Sequence, residues 1–121
     1  MYIRFVIGLD NDDPRKMHGP FTEVEKLRKE GALAAYEEEQ VTRIFEKFNE
    51  ELPCPPWSSN NWPVDAISWF KVSSQSFVSQ MYVLVYILRE HGINVRVIKA
   101  KSLFKFFYED EYQVIAVDKR Y

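Results

Sequence analysis

Residues 65–99, DAISWFKVSSQSFVSQMYVLVYILREHGINVRVIK, decide the fold. The opening run DAISWFK (65–71) is short and rich in β-formers, and reads as a strand. Ser73, Ser74 and Ser76 then offer N-cap candidates for a helix. Phe77, Val78, Met81, Leu84, Val85 and Leu88 recur at helical spacing as far as about His91. Tyr82, Val83, Tyr86 and Ile87 widen that stripe, and a helix apolar nearly all round is buried on more than one side. Gly92 follows Arg89-Glu90-His91 as a residue just past a helix end should. Ile93 to Lys99 is again a strand. Strand, helix and strand form a βαβ unit, whose strands are expected to be parallel and joined by a right-handed crossover.

Upstream, YIRFVIGL (2–9) alternates as a strand, with Ile3, Phe5, Ile7 and Leu9 on one face. Asp10-Asn11-Asp12-Asp13-Pro14 stops it, because Asp and Asn favour turns and Pro cannot donate to a ladder. Thr22 and Glu25 have capping-box spacing for a short helix that Gly31 ends in the left-handed region. A longer helix runs from about Ala34 to Glu51, with Val41, Ile44, Phe45, Phe48 and Leu52 on one stripe. Its first turn carries Glu37, Glu38 and Glu39, favourable at the positive end of the dipole. The stretch from Pro53 to Trp62-Pro63 holds four prolines in eleven residues and must be a loop. Downstream, residues 103–109 and 112–118 read as a hairpin around an acidic Glu109-Asp110-Glu111 tip.

The order is β-α-α-β-α-β-β-β. The expected fold is a single α+β domain over residues 1–121, with one mixed sheet of about five strands and two or three helices. The long helices should cover one face. Arg4, Arg96 and Lys105 are assigned to the other, which is a partner or dimer surface if the chain leaves it uncovered.

The chain has 121 residues, 46% apolar and 28% charged, with a net charge of -2. That length and composition suit one globular domain. The longest unbroken apolar run, Met81 to Leu88, is far short of the roughly 20 residues that span a bilayer. The N-terminus lacks signal-peptide order, and one Cys cannot form an intrachain disulfide. A cytoplasmic protein with no membrane partner is expected. The near-neutral balance conceals asymmetry. Residues 1–60 carry 8 basic and 12 acidic side chains, and residues 61–121 carry 8 and 6.

The runs FVIGLD (5–10), FNEELPCP (48–55), WFK (69–71), LREHGI (88–93) and YEDEYQV (108–114) resemble small bacterial proteins of uncharacterised function. The resemblance covers most of the chain. It implies a bacterial or phage intracellular protein and carries no activity.

No catalytic signature is present. Cys54 has no adjacent basic group to depress its pKa and reads as an inert, partly buried thiol. The serines before the third helix are explained by capping, and no G-x-S-x-G elbow occurs. Asp10, Asp12, Asp13 and His18 share one loop but lack the calcium-loop pattern, and no C-x-x-C or H-E-x-x-H is found. No metal or cofactor is expected. His91 reads as a helix-end imidazole favoured by the dipole.

Two groups of residues are the candidate binding sites. Trp57 and Trp62 lie on the proline-stiffened loop, as partner-binding anchors or as a lid on the core. Tyr108, Asp110 and Gln113 could join Trp69 and Lys71 in a polar cluster if their strands are neighbours. The preferred reading is an interaction or regulatory module that contacts a protein partner or a second copy of itself. The alternative is a small enzyme or small-molecule binder using the polar cluster. A weak single-stranded nucleic-acid binder using Arg96, Lys99, Lys101 and Lys105 comes third. Nucleic acid is not expected, because the aromatics beside those residues lack the glycines of an RNA-stacking strand and acids follow at once.

Overall fold

The computed structural model describes residues 1–7, 19–56, 62 and 66–117. Five strands form one sheet: β1 (Tyr2–Val6), β2 (Ile67–Lys71), β3 (Arg96–Ala100), β4 (Lys105–Glu109) and β5 (Gln113–Val117). Three helices, α1 (Pro20–Lys29), α2 (Ala35–Glu51) and α3 (Gln75–Glu90), complete the order β-α-α-β-α-β-β-β. The fold is α+β.

The sheet order is β3-β1-β2-β5-β4, and every pairing is antiparallel. This corrects the expected mixed sheet. β2 and β3 do run in the same direction, since both are antiparallel to β1, but β1 lies between them. The crossover helix α3 therefore spans an inserted strand. β1 suits that interior place because both of its faces carry buried apolar side chains. Ile3 and Phe5 join the helix-side core, while Val6 is buried on the opposite face beside Arg96.

The main core lies between the sheet and the helices. It gathers Ile3 and Phe5 with Val24 of α1, Val41, Ile44 and Phe48 of α2, and Phe77, Met81, Leu84, Val85 and Leu88 of α3. Phe48 organises the centre, with Phe21, Phe70 and Phe77 set edge-on to it at 5.0 to 6.1 Å. Such tilted aromatic pairs add roughly 0.5–1.5 kcal/mol beyond area burial.

The helix ends explain much of the packing. α1 starts at Pro20 rather than through a Thr22 cap, because proline's fixed φ suits the first helical position. The carboxylate that reaches back to a cap amide is instead Glu37, whose Oε1 accepts from Ala34 N–H at 2.9 Å. α1 and α3 both close in paired backbone bonds past a left-handed glycine. Gly31 (φ 68) and Gly92 (φ 79) donate to Arg28 and Arg89, and Ala32 and Ile93 donate to Leu27 and Leu88. Ser74 stands at the N-cap of α3 without capping it. Its hydroxyl donates to the Lys71 and Tyr112 carbonyls at 2.6 and 3.1 Å, tying α3 to β2 and β5.

Arg4 and Arg96 lie on the sheet face away from the helices, as the alternation requires. Lys105 does not. A bulge between Phe106 and Tyr108 inverts the alternation within β4. Phe106 opposes Ala116 on the far face, whereas Lys105 opposes Val117 on the helix side. Among the described residues, no helix is long and apolar enough to cross a membrane.

Candidate functional site

The pairing of β2 with β5 sorts the expected polar cluster into two faces. Trp69 opposes Val114 and points away from the helices. Lys71 shares that face and pairs with Glu109 of β4, Nζ to Oε2, at 2.6 Å. Gln113 opposes Phe70 and points toward the helices. Tyr108 and Asp110 join Gln113, so three of the five residues meet and two do not.

The three that meet close the β4–β5 hairpin. Asp110 Oδ1 accepts from the Tyr112 and Gln113 amides at 2.8 and 3.0 Å, and Oδ2 accepts from the Tyr108 hydroxyl at 2.8 Å. Gln113 is 3% exposed. Its Nε2 donates to the Pro53 carbonyl at 2.7 Å and to Asp110 at 3.2 Å, and its Oε1 accepts from Ser68 at 3.1 Å. Buried polar groups cost least when every bond is made, and this amide is fully engaged. Burial alone would raise the Asp110 carboxyl, but the Tyr112 amide, the Tyr108 hydroxyl and the Gln113 donors outweigh it. The net pKa lies below the ordinary carboxylate value. The same bond to Asp110 raises the Tyr108 phenol. The cluster therefore fastens the exit of α2 to the hairpin and leaves little bonding capacity for a ligand.

Beside it lies an open groove of about 380 Å³, lined by Phe21, Phe45, Phe48, Asn49, Cys54 and Gln113 among others. Cys54 is exposed rather than partly buried. Its position between prolines holds it outside the core.

Trp69 is only 1% exposed although none of the described helices covers its face. The Arg4 guanidinium stacks over the indole at 5.4 Å, and Tyr2, Ile67, Ile98, Ala100 and Leu103 pack around it. Tyr2 of β1 and Phe106 of β4 meet edge-to-face at 5.6 Å. In a flat sheet their strands would stand about 14 Å apart, so both side chains lean inward over the intervening strands. The Trp69 Nε1 has no hydrogen-bond partner among the described residues. Trp62 packs on Phe107 and Tyr108 with ring centroids 6.4 and 6.5 Å away, next to Ala66, Ile115 and Val117. That is the lid arrangement. Trp57 lies outside the described residues, as do Asp10, Asp12, Asp13 and His18.

The basic residues Arg96, Lys99 and Lys105 do not form one platform. β3 and β4 are opposite edges of the sheet, which separates Lys105 and its aromatic neighbours from Arg96 and Lys99.

Two features escaped the sequence. The first is the contact between Glu37 of α2 and His91 after α3, Oε1 to Nε2, at 2.9 Å. Burial would raise Glu37, but the Ala34 amide and His91 prevail and its pKa is lowered. The second is an exposed aromatic face. Tyr82 and Tyr86 are one turn apart on α3 and lie outward. Tyr86 is 66% exposed and Tyr36, at the start of α2, is 68% exposed. Glu90 raises the Tyr86 phenol by charge and hydrogen bonding. The Glu37–His91 contact sets the start of α2, which carries Tyr36, beside the end of α3. The 3.6-residue spacing of Tyr82 and Tyr86 was visible, but it read as a wider buried stripe.

No family model, no curated protein and no solved structure matches this chain.

Proposed function

We propose that the chain is a small interaction module that recognises another protein. The observation that carries this reading is the aromatic face formed by Tyr36, Tyr82 and Tyr86. Tyrosine offers large contact area with few rotatable bonds and a polar tip that tolerates water before binding, and it is enriched at interfaces and hot spots. Clustered apolar exposure on a folded chain marks contact sites more often than isolated exposure does. The test is affinity capture from the source cells with the intact protein and with a Tyr36→Ala/Tyr86→Ala variant, read by quantitative mass spectrometry. Specific proteins retained by the first and lost by the second support the reading. Identical retained sets, together with a monomer by light scattering at all concentrations, overturn it.

The groove beside Gln113 favours a second reading, binding of a small apolar molecule, since its volume lies within the ordinary ligand range. Native mass spectrometry of the purified protein checks it through retained mass.

A further inference from the structure

β3 and the neighbouring helix α3 frame a second surface. β3 pairs with β1 over five consecutive residues, from Tyr2↔Ala100 to Val6↔Arg96, with no register shift. Among the described residues, no strand pairs with its other side. In an antiparallel ladder, alternate residues direct their N–H and C=O away from the partner, and no described strand takes up those of Val97 and Lys99 on this side. The opposite edge, β4, is broken by its bulge and is a poorer template.

Between β1, β3 and α3 runs a groove of about 360 Å³ lined by Ile3, Val72, Val78, Tyr82 and Lys99, among others. A strand added to β3 would send alternate side chains toward this groove. Charge selects the occupant. From 91 to 104 the chain carries no Asp or Glu, and Lys99 on β3 and Lys101 just beyond it supply positive charge at this edge. Lys99 and Lys101 are exposed. Like charges placed opposite each other destabilise a ladder, which disfavours pairing of this edge with a second copy of itself.

We infer that β3 is a docking edge that takes an extended acidic segment of a partner protein as a sixth strand. An apolar side chain of that segment seats against Val78 and Tyr82, and an acidic one on the same face meets Lys99. The inference rests on the interaction reading above and names the partner's chemistry.

The probe is a blocked octapeptide, Glu-Thr-Val-Thr-Glu-Thr-Val-Thr, which puts Glu and Val on one face. It is titrated at low salt into the full chain labelled with nitrogen-15. Amide signals of residues 96–100 and of Val78 and Tyr82 should shift, and outward-facing β3 amides should gain exchange protection. Lysine in place of glutamate should weaken binding at least tenfold, and N-methylation of alternate peptide amides should abolish it. The Lys99→Glu variant, altered only at an exposed side chain, should reverse the charge preference. Equal binding of both peptides, indifference to N-methylation, or no shifts along β3 at millimolar peptide overturns the docking edge. Shifts confined to Tyr36 and Tyr86 overturn it while leaving the interaction reading intact. That reading fails separately, through the capture experiment.

Discussion

Gln113 shows how one buried amide can join distant parts of a chain. It bonds Pro53, Ser68 and Asp110 at once. Gln113→Leu leaves the Pro53 carbonyl and the Ser68 hydroxyl without that partner, and should lower stability by about 1–3 kcal/mol in urea unfolding. Asp110 and Glu37 are the acid-sensitive points. Each carboxyl is held below its ordinary value. Their stabilisation is complete above the unfolded-state values, about 3.9 for Asp and 4.3 for Glu, and is lost as pH falls through the depressed folded values. Asp110→Asn should therefore be less stable near neutrality and flatten the acid limb of a stability-against-pH curve. The sequence made Tyr108, Asp110 and Gln113 legible because they are near neighbours. It could not show Pro53, which lies 60 residues away along the chain. Nor could it show that Trp69 and Lys71 face the other side, which depends on register alone.

Among the elements, β4 is the clearest case of a pattern that local composition conceals. Phe106, Phe107 and Tyr108 are consecutive aromatics, so no polar residue marks the one that is inserted. Lys105 was consequently assigned to the wrong face. Deleting Phe107 would leave Lys105↔Val117, Phe106↔Ala116, Tyr108↔Ile115 and Glu109↔Val114 as a regular ladder, but would remove a ring on which Trp62 packs, with an expected loss of about 1–3 kcal/mol. Circular dichroism melting of the deletion variant measures it. The helix ends were more legible, because glycine at a left-handed position has a direct steric cause. Gly92 sits at φ 79 with open space around an added Cβ. Gly92→Ala should thus cost about 1–2 kcal/mol from backbone strain alone, and Gly31→Ala a similar amount. The helix starts were less legible. Thr22 and Glu25 have the right spacing, but Pro20, not Glu23, is the first helical residue of α1.

For the whole molecule, the element order and α+β class followed from periodicity, but the sheet order did not. The sequence of α3 and its flanking strands is equally compatible with adjacent strands and with strands parted by β1. Only the two-faced apolar character of β1 favours the second, and that shows once Val6 is seen buried opposite Phe5. β5 lies between β2 and β4 and is buried along its whole length. Its amides should exchange with solvent only through global unfolding, whereas those on the outer side of β3 should exchange fastest among the strands. Hydrogen-exchange mass spectrometry or NMR would rank them.

The place of β1 between β2 and β3 also sets a schedule for biosynthesis. Its two neighbours in the sheet are far downstream, with Tyr2 pairing Lys71 on one side and Ala100 on the other. A ribosome adds about 5–20 residues per second, so β1 waits roughly 5–20 s between its own emergence and that of β3. Until β2 emerges, Ile3, Phe5 and Val6 have no ladder to enter, and until β3 emerges the other side of β1 stays unpaired. A nascent chain stalled shortly before β2 should therefore recruit chaperones through its first strand and release them once the downstream strands emerge.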